Sequence, residues 1–220
     1  MKPLVAALGA LALVAAGCTD LGSDNTRITG SGVMSIEARD VGSFDRLAVE
    51  GSGEVFIEVG PATSLEIEAE DNVMTVLTTE IRNGRLVLSV EEGNSLRNVE
   101  IPIYRITTPD LAGVSIAGSG NVVVDGVDTT EFTVDIAGSG YVQPSGSADH
   151  ISVSISGSGD YDGASLSAPT AEVSIAGSGA VVVNATDALD VSIAGSGDVV
   201  YLGNPTLTQS IDGDGRVSQR

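Results

Sequence analysis

The chain has 220 residues, with nine arginines and one lysine against thirty carboxylates, a formal net charge of −20 and a single cysteine. That balance argues against nucleic acid and anionic lipid as electrostatic partners, and one cysteine leaves no disulfide framework. There is no Trp and only three Phe, so a core must be assembled from many small aliphatic side chains, for which the length is ample.

Residues 1–17 read as a signal peptide. Lys2 is a charged n-region, Leu4 to Ala16 a short apolar run, and Gly17 with Cys18 a small-residue processing site. The run is too short to span a bilayer as a mature helix. Cys18 and the residues before it resemble the lipobox of bacterial lipoproteins, although Ala15 stands where Leu is usual. The resemblance implies that the Cys18 thiol carries acyl chains such as palmitate and becomes the first mature residue. Several acyl chains anchor firmly, since each buried methylene contributes ~0.8 kcal/mol. Thr19, rather than Asp, follows Cys18, which by the same resemblance implies the outer membrane. A plain secretory signal with a coincidental cysteine is the alternative. Polar residues 18–29 form a tether.

Residues 30–110 predict an irregular β half. SLEIEAE (64–70) and VEIPIYRIT (99–107) alternate as strands, and EIRNGRLVLSV (80–90) carries Asn83-Gly84, a type I′ hairpin signal. DNVMTVL (71–77), with Asp71 as N-cap, is the one short helix candidate. No Pro- or Ser-rich linker follows, so residues 30–220 are expected to form a single domain.

Residues 111–220 repeat. VSIAGSG at 114–120 returns as VDIAGSG, VSISGSG, VSIAGSG and VSIAGSG, and ends as SIDGDG at 210–215. The triplets start at Gly118, Gly138, Gly157, Gly177, Gly195 and Gly213 and close at Gly120, Gly140, Gly159, Gly179, Gly197 and Gly215. A period near 20 residues points to a solenoid. Leading into each triplet, apolar and polar residues alternate, as in Phe132, Val134, Ile136 against Thr133, Asp135, Ala137; this is a strand with one buried face. A second strand begins after each triplet, at Val122, Val142, Tyr161, Val181, Val199 and Val217. The glycines are therefore expected at corners stacked ~4.8 Å apart, where a larger side chain would meet its own copy in the next layer. A phosphate cradle would need a helix after the glycines, and a β-branched strand follows instead. The fold class is all-β, a parallel β-solenoid of roughly 20-residue GSG coils. Gln209 and Gln219 enter its inward pattern in the last coil, as a capping coil requires.

GSGVMSIEARDVGSFDRLAVEGSGEVFIEVG (30–60), ITTPDLAGVSIAGSGNVVV (106–124) and the serial coils together resemble the head GIN domain family of putative auto-transporter adhesins. The likeness covers residues 30–215. It implies an exported bacterial β-solenoid, often on a lipoprotein, and adhesion as the role. The family supplies no catalytic or ligand residues to carry over.

Chemistry is sparse. His150, the only histidine, stands in PSGSADH with no Cys or His partner for a metal and reads as a surface residue. The GSG serines recur, whereas a catalytic serine would be singular, and no nucleophile elbow precedes a helix. Asp160, Asp162 and Asp198 are candidate paired carboxylates, because polysaccharide-cleaving enzymes use such pairs. Coils this short leave no loops to wall a cleft, and no cation stands between Arg105 and Arg216 to hold an acidic sugar. A calcium ladder needs an acid at every turn, but the triplets are followed by Asn121, Tyr141, Asp160, Ala180, Asp198 and Arg216. Asp212 and Asp214 are the nearest thing to a weak ion site; no metal or cofactor is expected.

The outward positions of the lead-in strands form the candidate interaction face. They are Ser115, Asp135, Ser154, Ser174, Ser192 and Ser210, beside Ala117, Ala137, Ser156, Ala176, Ala194 and Asp212. The bland account is that stacked positions tolerate small polar groups; the functional one is a flat docking face. The expected function is a non-enzymatic, lipid-anchored envelope interaction module, an adhesin or scaffold, with a protein or glycan as partner. A polysaccharide-binding or polysaccharide-cleaving protein and a self-assembling homo-oligomer are the alternatives.

Overall fold

The computed structural model describes residues 25–220; the expected signal peptide, Cys18 and the start of the expected tether lie outside the described residues. In chain order the elements are β1 (Thr26–Thr29), β2 (Met34–Arg39), β3 (Arg46–Gly51), β4 (Glu54–Val59), β5 (Ser64–Glu70), α1 (Asp71–Met74), β6 (Leu77–Arg82), β7 (Arg85–Val90), β8 (Asn94–Arg97) and β9 (Ile103–Thr108). They continue as β10 (Gly113–Gly118), β11 (Asn121–Gly138), β12 (Tyr141–Gly157), β13 (Asp160–Gly177), β14 (Ala180–Gly195), β15 (Asp198–Leu202), β16 (Thr206–Gly213) and β17 (Arg216–Gln219). Parallel coils of about 20 residues stack into a β-solenoid of about five turns.

The stacking is in register. Val114 pairs with Val134, Val134 with Val153, Val153 with Val173 and Val173 with Val191. Each lead-in strand thus buries the same aliphatic face on the copy above and below, and its backbone pairs with that of the neighbouring coils. For the same reason the segments between coils are themselves strand. β11 to β14 run 16 to 18 residues without a break, where alternation alone predicts two short strands per coil. Coil-to-coil pairing supplies hydrogen bonds that local sequence does not advertise. The second bend of each coil is made by register shifts, at Val124/Val127, Val142/Ser145 and Asp162/Ser167; bulges bend a strand without ending it.

The irregular half is the cap of this stack. β3 and β4 are a coil of the regular kind, for Gly51 lies beside Gly118 and Val55 beside Val122. The chain then leaves the stack after β4 and returns at β10, and the intervening strands cover the open end. β7 pairs parallel with β3, and β6 antiparallel with β7; β9 pairs parallel with β4, and β5 antiparallel with β9. Antiparallel hairpin strands stop further parallel stacking at that edge.

The other upstream triplet, Gly30-Ser31-Gly32, is not a rung. Gly32 N–H donates to Glu70 Oε1 at 2.6 Å and Glu100 N–H to Glu70 Oε2 at 3.0 Å. Gly30 packs so close to the Glu70 carboxylate that a side chain there would displace it. The buried Glu70 clamps three segments through backbone donors, which is how a lone buried carboxylate is tolerated. The helix is a single turn, and Asp71 is its first residue rather than its cap. Glu70 occupies the N-cap position without a side-chain cap bond, because its carboxylate is engaged by Gly32 and Glu100. Arg39 closes the other end, donating to the Met74 carbonyl at 3.1 Å and the Leu77 carbonyl at 2.7 Å.

One hydrophobic cluster runs from Phe44 in the cap to Val199 in the last full coil. Large residues in it are offset by small ones in the same layer. Phe132, Ile151 and Leu189 form a column interrupted by Ala171, and that same coil holds Tyr161 where its neighbours hold Val142 and Val181. Two residues after Tyr161 comes Gly163, whose Cβ would stand 2.5 Å from the Tyr161 hydroxyl. The Tyr161 hydroxyl is buried with no hydrogen-bond partner among the described residues.

Burial pushes the Tyr104 phenol up to about 12, against a smaller downward pull from Arg39. Burial, aided by Asp162, raises Tyr161 as well. An unfolded phenol ionises near 10, so the neutral buried rings contribute full stability below pH 10 and lose it as pH climbs towards 12. Two units of pKa correspond to about 3 kcal/mol. Urea unfolding at pH 8 and pH 11.5 should show a fall in stability that Tyr104→Phe lessens; an unchanged fall in the variant would assign it elsewhere.

Candidate interaction surface

The first glycine of each triplet is the sharp point of its coil. Gly51, Gly118, Gly138, Gly157, Gly177, Gly195 and Gly213 pair in one column with φ between +123 and +141. A Cβ on Gly157 would lie 2.5 Å from the Gly138 carbonyl oxygen. That carbonyl accepts the N–H of Ser158 at 2.9 Å, and the bond repeats from coil to coil, as in Ser139 to Gly118 and Ser178 to Gly157. The closing glycines face inward. A Cβ on Gly140 or Gly197 would meet the Ile116 or Ile175 side chain of the coil before at 2.7 Å. Gly120, Gly159, Gly179 and Gly215 occupy the same place in their own coils.

Beside this column the lead-in strands turn out two rows. Ser115, Asp135, Ser154, Ser174, Ser192 and Ser210 are successive register partners, and so are Ala117, Ala137, Ser156, Ala176, Ala194 and Asp212. From Ser174 onward both rows are exposed, whereas Ser115 and Ser154 are half-buried. At ~4.8 Å per coil the strip extends about 24 Å with no side chain longer than Asp.

The carboxylates do not assemble into a pair of free acids. Asp160 Oδ1 accepts the Ala180 N–H at 2.9 Å and Asp162 Oδ1 the Ala164 N–H at 3.2 Å, so both serve the backbone of adjacent bends. Asp198 stands one coil beyond Ala180 in the same column. Asp212 and Asp214 lie exposed at the last corner. His150 is half-buried in β12, its ring Nδ1 2.9 Å from Thr170 Oγ1 of the next coil. Among the described residues, no three His, Cys, Asp or Glu side chains gather at one point, and no helix is long and apolar enough to cross a membrane.

Local sequence reading missed what the cap brings to the strip. Arg46 of β3 is the register partner of Gly113 on one side and of Arg85 on the other, and Arg85 in turn pairs with Arg82. Three arginines therefore form a row at the head of the strip, and Arg85 Nη1 donates to Ser115 Oγ at 3.2 Å. The signal was available in Gly51-Ser52-Gly53: aligning that triplet with Gly118-Ser119-Gly120 puts Arg46 beside Gly113.

The model of the family described as putative auto-transporter adhesin, head GIN domain, matches residues 43–205. The chain belongs to that family. The matched span takes in the first coil, the cap insertion and the stack as far as β15, so the family signature covers most of the solenoid. Among solved structures, a putative adhesin of Bacteroides fragilis is 25% identical with a TM-score of 0.67, covering 88% of this chain and 100% of its own. A putative lipid binding protein of Parabacteroides distasonis shares the fold at 24% identity and a TM-score of 0.61, covering 89% and 100%. No curated protein matches the chain. Family and neighbours together support an adhesin-like module of the exported or envelope class.

Proposed function

We propose that this head GIN domain protein is a lipid-anchored, non-enzymatic interaction module of the cell envelope, held at the outer membrane through Cys18 and contacting a protein or glycan across the face of its lead-in sheet. The observation that carries the reading is the in-register face itself: a rigid, hydrogen-bonded surface on which small side chains repeat over six coils. Flatness lets an extended partner approach the whole strip, and the fixed backbone spares the ordering entropy that a loop-built site would cost. Family membership supports adhesion as its use. The serines of the corners recur in equivalent positions from coil to coil, until Asp214 replaces them in the last, and give no unique nucleophile.

The test is a glycan array probed with the soluble domain, with reducing ends assayed in parallel. Binding without release of new ends, lost in Ser174→Arg at the middle of the strip, is expected. Release of new ends would overturn the non-enzymatic reading, and binding untouched by Ser174→Arg would move the contact elsewhere. The anchor is tested separately. Full-length protein should partition into detergent, and Cys18→Ser should move essentially all of it to the aqueous phase; wild-type protein already in the aqueous phase would contradict the anchor.

A further inference from the structure

The row of arginines at the cap borders a cleft of about 500 Å³. Its floor is the paired Ala48 and Val87, outward-facing yet only 6% and 4% exposed, and its walls are Arg46, Arg85, Arg82 and Glu50. Arg82 is held by Glu80 at 2.8 Å and lies 3.9 Å from Glu50. Neither Arg46 nor Arg85 has a carboxylate oxygen within 4.0 Å among the described residues, although the chain carries thirty carboxylates for nine arginines. Like charges on directly paired strands repel. Here Arg46 and Arg85 are left without a direct ion pair in a chain with abundant means to supply one. Such an arrangement fits a ligand that brings the missing negative charge.

We propose that this cleft binds a single acidic sugar residue, with Arg46 and Arg85 gripping its carboxylate. The guanidinium fork matches a carboxylate in plane and by two parallel hydrogen bonds. The Ala48–Val87 floor offers an apolar surface to the C–H face of a sugar ring, while Glu50 and Asp45 at the rim accept hydrogen bonds from the sugar hydroxyls. Arg82 is already matched by Glu80 and Glu50, so the charge left for a ligand is that of Arg46 and Arg85, a pair suited to one carboxylate. Beyond the cleft the surface turns acidic, with Asp135 next to Ser115 and Glu172 and Asp190 further along. A polyanion or an anionic membrane would be repelled there, as by the chain's net charge of −20. The cleft therefore selects a lone acidic residue on an otherwise neutral glycan. It stands at the head of the small-residue strip and does not need the strip to be a binding face.

The probe is a disaccharide ending in glucuronic acid, compared with the same disaccharide ending in glucose, titrated into the soluble domain and followed by calorimetry and ligand-observed NMR. The acid should bind, the neutral sugar at least tenfold more weakly. Arg85→Gln and Arg46→Gln should each weaken the acid at least tenfold without altering thermal unfolding, and Ser174→Arg should leave it unchanged. Equal binding of the neutral sugar, no binding of the acid, or binding indifferent to both arginines would overturn the site. So would capture of heparin or of phosphatidylglycerol vesicles in place of the disaccharide. Loss of the disaccharide with array binding retained would refute this cleft and leave the proposed envelope function standing.

Discussion

Gly157→Val is expected to unfold the solenoid about 10 °C below wild type, while Ser158→Val, one residue on, leaves the transition where it is. The two positions share a corner and differ in geometry. Gly157 sits at φ +129, with the Gly138 carbonyl oxygen 2.5 Å from where its Cβ would be. A β-branched residue forced into such a conformation costs about 1–3 kcal/mol, and overpacking against a backbone that cannot move adds about 1–3 kcal/mol. The neighbouring coil is held by its own register, so it has nowhere to retreat. A loss near 4 kcal/mol in a domain of this size lowers the midpoint by roughly 10 °C. Ser158 is exposed, and surface substitutions away from special features stay within about 0.5 kcal/mol. Thermal unfolding by circular dichroism measures both. Equal effects at the two positions would mean that the corner is not what the glycine serves.

The second large effect is a coupling. Gly163→Val alone should cost about 3 kcal/mol, because its side chain must enter the space held by the Tyr161 ring, whose hydroxyl lies 2.5 Å from the would-be Cβ. Tyr161→Val alone should also cost about 3 kcal/mol, by opening a cavity in a coil already thinned by Ala171. Together the two changes reproduce the pairs Val122 with Val124 and Val181 with Val183 found in two other coils. They also remove the buried hydroxyl that has no partner, worth about 1–3 kcal/mol. The double variant should therefore be close to wild type in stability, with a coupling energy of at least about 3 kcal/mol in denaturant unfolding. Additive losses would show that the layer is not packed as a unit.

The solenoid was legible because its signals are local and repeated. Alternation before each triplet gives the inward face of a strand, and the period of the glycines gives the layer. The bends were not legible. Between Val124 and Val127, or Asp162 and Ser167, the bulges vary in length from coil to coil, and the glycines near them, Gly126, Gly146, Gly163 and Gly203, stand at differing distances from the triplets and do not recur in every coil. The cap was half-read: the Asn83-Gly84 hairpin is present in β6 and β7, both residues at positive φ. Its docking on β3 is not, since parallel pairing between Arg46 and Arg85 is a long-range choice that leaves no periodic trace. The arginine row was missed for that reason. The chain carries no cation between Arg105 and Arg216, whereas the fold places Arg46 and Arg85 next to Ser115 from far upstream in sequence.

All of this depends on the triplets lying one above another. Nitroxide labels at the exposed middle positions of the corners, introduced by cysteine in a Cys18→Ser background, measure that spacing by pulsed electron resonance. With one label at Ser119 and the second moved through Ser178, Ser196 and Asp214, three, four and five coils away, the stack gives about 14, 19 and 24 Å between the labelled backbones. A ladder rising by one strand spacing per coil is the expected result. Separations that follow sequence distance, or do not order by coil number, would contradict the stacked-corner account.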